Sequence, residues 1–156
     1  MNIHHYKVRI IKNSIKPYWY NGKDVTTFVS PVTKNKVQKL YVIKHNNEMI
    51  YAGITSQSVS NRLRYGITAN GNKGYHGYMW KDLNKGESLD ILIWLFEDMK
   101  RIEVESIEAE LVYLYRKEKG RWLEYQQEIH FHNSGEDVQG TAEDIFKIIN
   151  KNDGSS

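Results

Sequence analysis

The segment Val37–Thr55, VQKLYVIKHNNEMIYAGIT, constrains the fold more than any other, because two alternating runs rich in β-branched and aromatic residues meet at Asn46 and Asn47. Runs of this kind around a short polar turn read as a β-hairpin. Its register matters, since neighbouring side chains point to opposite faces. If the loop is His45, Asn46 and Asn47, Tyr41 sits directly across from Tyr51; if it is the two asparagines alone, the pair shifts by one and becomes diagonal. Either way two phenols approach each other on neighbouring central strands. Paired tyrosines are also good strand residues in their own right, so the spacing alone assigns them no chemistry.

The other elements assemble around this hairpin. LDILIWLFE (89–97) is a nearly continuous apolar run, as expected of a strand buried on both faces at the centre of a sheet. YKVRII and the mixed segment KPYWYNGKDVTTFVSPVTKNK, punctuated by Gly22 and Pro31, suggest an accessory strand or two before the hairpin. SQSVSNRLRYG predicts a short helix with Ser56 or Ser58 as N-cap and Gly66 as stop, presenting Arg62 about one turn from the hairpin. TANGNKGYHGYMWKDLNKG reads as a Gly- and Asn-rich loop followed by a helical turn around Tyr78–Leu83.

RIEVESIEAELVYLYRKEKG carries Val104, Ile107, Leu111 and Leu114 at helical spacing, acidic residues early, basic residues late and Gly120 as the stop. At roughly 100° per residue the apolar stripe leaves Glu103 and Glu110 at its border, while Glu105 points away and Glu108 lies wider. A carboxylate beside a core needs a partner such as a metal or a basic group, unless it is a solvated flank whose stem covers the core edge. TAEDIFKIINKN predicts a last helix opened by Thr141, with Asp144 three residues on as in a capping box. At 156 residues and 40% hydrophobic content the chain suits one domain spanning residues 1–156. The fold class is α/β of the α+β type: a small, mainly antiparallel central sheet flanked by helices.

Composition removes several function classes. With no cysteine, disulfide frameworks, thiolate zinc sites and cysteine nucleophiles are excluded, in agreement with a reducing cytoplasm. No run approaches the roughly 18 apolar residues of a membrane span, and MNIHHYKVRI lacks the apolar core of a signal peptide, so the expectation is a soluble, cytoplasmic protein without a membrane partner. A net charge of +3 tolerates a polyanionic partner without demanding one.

The ordered set LYV, YAGIT, NRL and ELV resembles the GIY-YIG nuclease family: two tyrosine-bearing triplets about ten residues apart, then an arginine, a histidine or tyrosine, a helical glutamate and often an asparagine. Here these fall on Tyr41, Tyr51, Arg62, His76, Glu110 and Asn133, and the first intervals, 10 and 11 residues, fit. Leu40, Val42 and Ala52 depart from the usual triplets, whereas Gly53 keeps the residue that permits close backbone approach. The resemblance covers residues 39–133, leaving 1–38 and 134–156 as extensions.

It implies a GIY-YIG-like fold and a divalent-metal-dependent endonuclease, a hydrolase of DNA phosphodiester bonds, with RNA not excluded. Glu110 would ligate one Mg²⁺ or Mn²⁺, with Glu103 and Glu108 as competitors. Arg62 would hold phosphate oxygens and His76 would assist the base or contact phosphate. Tyr41 would act as base once activated by Arg62 or by metal-bound water, Tyr51 would hold the attacking water or the phosphate, and Asn133 would orient the glutamate or the phosphate. Arg64, Lys73, Tyr75 and Lys81 form a candidate nucleic-acid surface, Arg64 also reading as an ordinary surface residue. So short a chain implies a homodimer on DNA or a structure-specific substrate. Two other readings stand beside this one: a nucleic-acid-binding module of the same fold without turnover, and a zinc-binding interaction protein using Glu128, His130 and His132 of EIHFH, which share one face of a strand.

Overall fold

The computed structural model describes residues 2–72, 74–82, 86–124 and 136–153. Among these residues, β1 (His4–Ile11), β2 (Ser14–Tyr20), β3 (Lys23–Asp24), β4 (Gln38–His45), β5 (Glu48–Thr55) and β6 (Ser88–Phe96) form one antiparallel sheet in the order β3-β2-β1-β6-β4-β5. The helices are α1 (Val59–Thr68), α2 (Arg101–Lys119) and α3 (Glu136–Asp153), with a 3₁₀ turn at Met79–Asp82. This is the expected α+β architecture. The residues before the hairpin do more than decorate its edge: β1 lies between β2 and β6, inside the sheet.

The hairpin turn is Asn46-Asn47 alone, both residues adopting positive φ (52° and 64°), the backbone that tight hairpins favour and asparagine tolerates. With His45 paired to Glu48, a regular ladder would put Tyr51 across from Val42 and on the face opposite Tyr41. A bulge intervenes: Lys44 pairs with Met49 but Ile43 with Tyr51, so Ile50 is the extra residue. Tyr51 thereby returns to the face of Tyr41, whose own cross-strand partner is Gly53. The two tyrosines are diagonal neighbours because of the bulge.

β6 is covered on both sides, as its continuous apolar run requires. Leu89, Ile91 and Ile93 join Tyr6, Val8, Tyr41 and Ile43 in one core, closed by α1 and by Tyr78 and Trp80. Leu92, Trp94 and Phe96 join Leu40, Val42 and Ala52 in the other, closed by α2 and α3. Two buried lysines tie these layers together. Lys39 Nζ donates to the carbonyls of Lys34 (2.6 Å), Val37 (2.9 Å) and Gln57 (2.9 Å), which anchors the entry to α1 against β4. Lys44 Nζ donates to the Ile149 carbonyl at 3.0 Å and fixes α3 to the hairpin. Among the described residues, no helix is long and apolar enough to cross a membrane.

Three local expectations are corrected. Ser58 precedes α1 without a side-chain capping bond. The helix passes through Gly66 to Thr68, and Gly66 serves packing instead of termination: a Cβ there would enter the Tyr78 ring. Thr141 lies inside α3, which starts at Glu136, and its Oγ1 bonds back to the Asp137 carbonyl at 2.8 Å. Gly120 does end α2, in the left-handed conformation at φ 75°.

Gly66→Ala offers a direct test of this packing. Helix propensity alone favours alanine by roughly 1 kcal/mol, while overpacking costs typically 1–3 kcal/mol. The ring has a stacked Trp80 behind it and cannot retreat cheaply, so the expected result is a lower urea midpoint. A midpoint at or above that of the parent would show that Tyr78 does not occupy this position.

Candidate active site

The bulge and Gly53 together create the space in which the phenols meet. A Cβ on residue 53 would stand 2.6 Å from Tyr41 Cζ and Oη, so the Tyr41 ring lies over bare backbone of β5. Tyr41 Oη shares a hydrogen bond of 2.7 Å with Tyr78 Oη. Tyr51 packs edge-on to Tyr78 with centroids 5.3 Å apart and lies 6.1 Å from the Tyr41 ring. Trp80 stacks behind Tyr78 at 4.6 Å and closes the back of the cluster.

Arg62 enters from α1. Its guanidinium lies over the Tyr78 ring, 4.8 Å from the centroid, and Nη2 donates to Tyr75 Oη at 3.0 Å. Nη1 is buried and has no hydrogen-bond partner among the described residues. A buried charged donor left open is costly, and an anion or water is what would satisfy it.

Glu108 projects from α2, which covers the sheet face opposite the tyrosines, and approaches the cluster only around the edge strand β5. It is 6% exposed, and its charge reaches Tyr51 on the outermost strand, β5. No hydrogen bond or ion pair reaches the Glu108 carboxyl among the described residues. Burial, reinforced by Glu105 one turn away and only partly offset by Arg101, pushes this carboxyl up to about 8. A carboxyl raised in this way favours its protonated form near neutral pH, and a cation would have to displace that proton.

The phenols are held neutral. Burial raises Tyr41 well above the ordinary phenol range, Tyr78 raises it further, and Arg62 opposes this only in part. Burial likewise raises Tyr51 and Tyr78. For Tyr41 as a base activated by Arg62 or by metal-bound water, the arrangement is unfavourable on the Arg62 side: Tyr41 is 1% exposed, its hydroxyl is engaged with Tyr78, and the rise from burial outweighs the opposing effect of Arg62. Tyr51 is only half-buried, the one of the two that opens toward solvent.

Of the residues singled out in the sequence, Tyr41, Tyr51 and Arg62 come together. Glu110 is half-buried on α2, roughly 200° around the helix from the more deeply buried Glu108. Glu103 is used at the start of α2, where its Oε1 accepts from the Lys100 backbone N–H at 3.0 Å. His76 is exposed, its ring against Gly71, and the loop brings Tyr75 and Tyr78 to the cluster instead. Lys81 Nζ donates to the carbonyls of Ala69 (2.6 Å) and His76 (2.7 Å), so it braces the loop. Arg64 is exposed and bonded to Asn61 Oδ1 at 2.9 Å. Lys73, Asn133 and the EIHFH residues Glu128, His130 and His132 lie outside the described residues. Tyr78 had one available signal, a tyrosine two positions beyond His76 in a family pattern that accepts either residue.

No group of three or more His, Asp or Glu side chains converges among the described residues. A cation here would be held by Glu108 with water and substrate oxygens. Mg²⁺ commonly binds through one or two carboxylates plus phosphate, so the donor set fits that ion and Mn²⁺ better than zinc. Comparison of the chain with family models, with curated proteins and with solved structures gives no match.

Proposed function

We propose that this chain is a divalent-cation-dependent endonuclease of the GIY-YIG type that hydrolyses phosphodiester bonds in DNA. The observation that carries this reading is Arg62: a guanidinium packed among tyrosines whose Nη1 has no hydrogen-bond partner among the described residues, a donor that a phosphoryl oxygen would satisfy. The reaction forms a bond from a water oxygen to phosphorus and breaks the phosphorus bond to a sugar oxygen, while negative charge grows on the phosphoryl oxygens.

Each residue has a part in that scheme. Arg62 binds a phosphoryl oxygen through Nη1 and stays oriented because Tyr75 holds Nη2. Tyr51, neutral and half-exposed, donates to the phosphate or orients the attacking water. Tyr41 and Tyr78 fix each other and the guanidinium, and with Trp80 they exclude bulk water from behind the phosphate. Glu108 would hold Mg²⁺ or Mn²⁺, an ion that supplies charge neutralisation and makes a bound water more acidic.

The test is incubation of the purified chain with supercoiled plasmid and with branched and single-stranded oligonucleotides in Mg²⁺ or Mn²⁺. Nicking that chelation abolishes is the expected result; absence of cleavage on every substrate with either ion would sink the proposal. The neutral, mutually bonded phenols also favour a second reading, a module that binds DNA without turnover. It predicts salt-sensitive DNA binding with no product under the same conditions.

A further inference from the structure

Tyr75 connects the Arg62 site to a surface that the proposed chemistry does not use. Its hydroxyl accepts from Arg62, and its ring stacks on Tyr65 with centroids 4.9 Å apart and planes 16° from parallel. Tyr65 is 55% exposed, a large aromatic on the solvent side of α1. Beside the pair lies a groove of about 280 Å³ lined by Tyr65, Thr68, Ala69, Asn70, Asn72 and Tyr75. Its lining combines two tyrosine rings and Ala69 with Thr68 and two exposed asparagines. The Asn70 side chain is fixed by accepting from the Asn72 backbone N–H at 3.0 Å, and Gly71 and Gly74 hold the loop in left-handed backbone at φ 89° and 82°.

The occupant follows from the neighbourhood. A planar, partly polar ring system suits an exposed tyrosine face with amide groups at its border, and a nucleobase is such a group. The volume is below the range of roughly 300–1,000 Å³ typical of pockets for drug-sized ligands, which suits one ring system better than a whole ligand. The groove is one residue away from the guanidinium, through Tyr75, so a base lodged there would belong to a nucleotide adjoining the phosphate on Arg62. Bases stacked within a duplex cannot enter it.

We propose that the groove formed by Tyr65, Asn70, Asn72 and Tyr75 is a base-stacking subsite that takes an unpaired nucleotide next to the phosphate held by Arg62. The inference rests on the phosphodiester reading of that site and names its substrate class: single-stranded, frayed or branched DNA in preference to continuous duplex. Tyr65 supplies stacking and Asn70 and Asn72 supply hydrogen bonds to a base edge, a combination tolerant of base identity.

The experiment measures anisotropy of an end-labelled single-stranded oligodeoxynucleotide and of the corresponding blunt duplex, titrated with the chain in chelator so that no cleavage intervenes. Wild type should bind the single strand more tightly. Tyr65→Ala should weaken single-strand binding by about 5- to 150-fold, the range that loss of one stacked base implies, and leave the duplex nearly unchanged. Tyr65→Phe, which keeps the ring, should recover most of the lost affinity. A Tyr65→Ala chain that holds the single strand within twofold of wild type, or that loses both ligands equally, would overturn the subsite. Cleavage assayed separately in Mn²⁺ distinguishes the two failures. A Tyr65-dependent single-strand preference without any cleavage retains the subsite and removes the nuclease; cleavage of intact duplex indifferent to Tyr65→Ala does the reverse.

Discussion

Glu108→Gln is expected to abolish cleavage and, in the absence of metal, to make the protein more stable at alkaline pH. The second effect follows from the environment. The carboxyl is buried without a hydrogen-bond partner among the described residues, and burial together with Glu105 raises it from 4.5 to about 8. A group raised in the folded state holds its proton there after the unfolded chain has released it. Its contribution is therefore fully present below the unfolded value and is lost as pH rises toward and through about 8. The full shift corresponds to an upper bound on the order of 5 kcal/mol. Glutamine cannot ionise, so the wild-type loss across this window should be missing from the variant's urea-denaturation profile.

Cation binding reverses the sign. Mg²⁺ or Mn²⁺ must displace the proton from Glu108, so the ion should stabilise wild type more as pH rises, and should stabilise Glu108→Gln little at any pH. Parallel stability profiles for the two proteins from about pH 5 to about pH 9, with equal response to the ion, would remove Glu108 from the site. Glu110→Gln, on the other side of the helix, serves as the contrast: the wild-type pH dependence should persist in it. This combination separates a carboxylate awaiting a cation from one that merely sits at the edge of a core.

The contrast between Glu108 and Glu110 also marks where the sequence stops being informative. The hairpin, the buried central strand and the extent of α2 follow from periodicity and from residues such as Asn46, Asn47 and Gly120, whose backbone preferences are local. The rotational phase of α2 does not. A single stripe of Val104, Ile107, Leu111 and Leu114 assumes one buried side, but α2 packs against β4 and β5 and against α3, so Ser106, Glu108, Ala109 and Val112 are buried as well. Two apolar partners widen the buried arc until a border glutamate becomes an interior one.

A similar non-local term decides the loop and the bulge. Which of His76 and Tyr78 faces Arg62 depends on Gly74 and Gly77, both at φ 82°, and on the room left by the missing Cβ of Gly66. No spacing rule contains that information. The bulge at Ile50 is equally silent, since VQKLYVIKHNNEMIYAGIT alternates acceptably in either register. Packing chooses the register that keeps Tyr41 and Tyr51 on one face and Ala52 in the opposite core.

Arg62→Ala should lower the single-turnover cleavage rate by on the order of a thousandfold, the scale of losing one preorganised donor to transition-state charge. Arg62→Lys should rescue little, because an ammonium cannot bond Tyr75 and a phosphoryl oxygen with the fixed fork that Nη1 and Nη2 provide. A purely structural role predicts something else. Removing the guanidinium takes away its contacts with the Tyr75 and Tyr78 rings, so the variant would then lose stability and activity together. A measurement independent of turnover separates the two roles: the slope of log affinity for DNA against log salt concentration in chelator. If Nη1 meets phosphate, each residue-62 substitution that removes the charge lowers that slope by about 1, whatever its effect on folding. A slope unchanged in Arg62→Ala, with cleavage and stability falling in proportion, would assign Arg62 to holding the tyrosines in place and would move the phosphate elsewhere on the molecule.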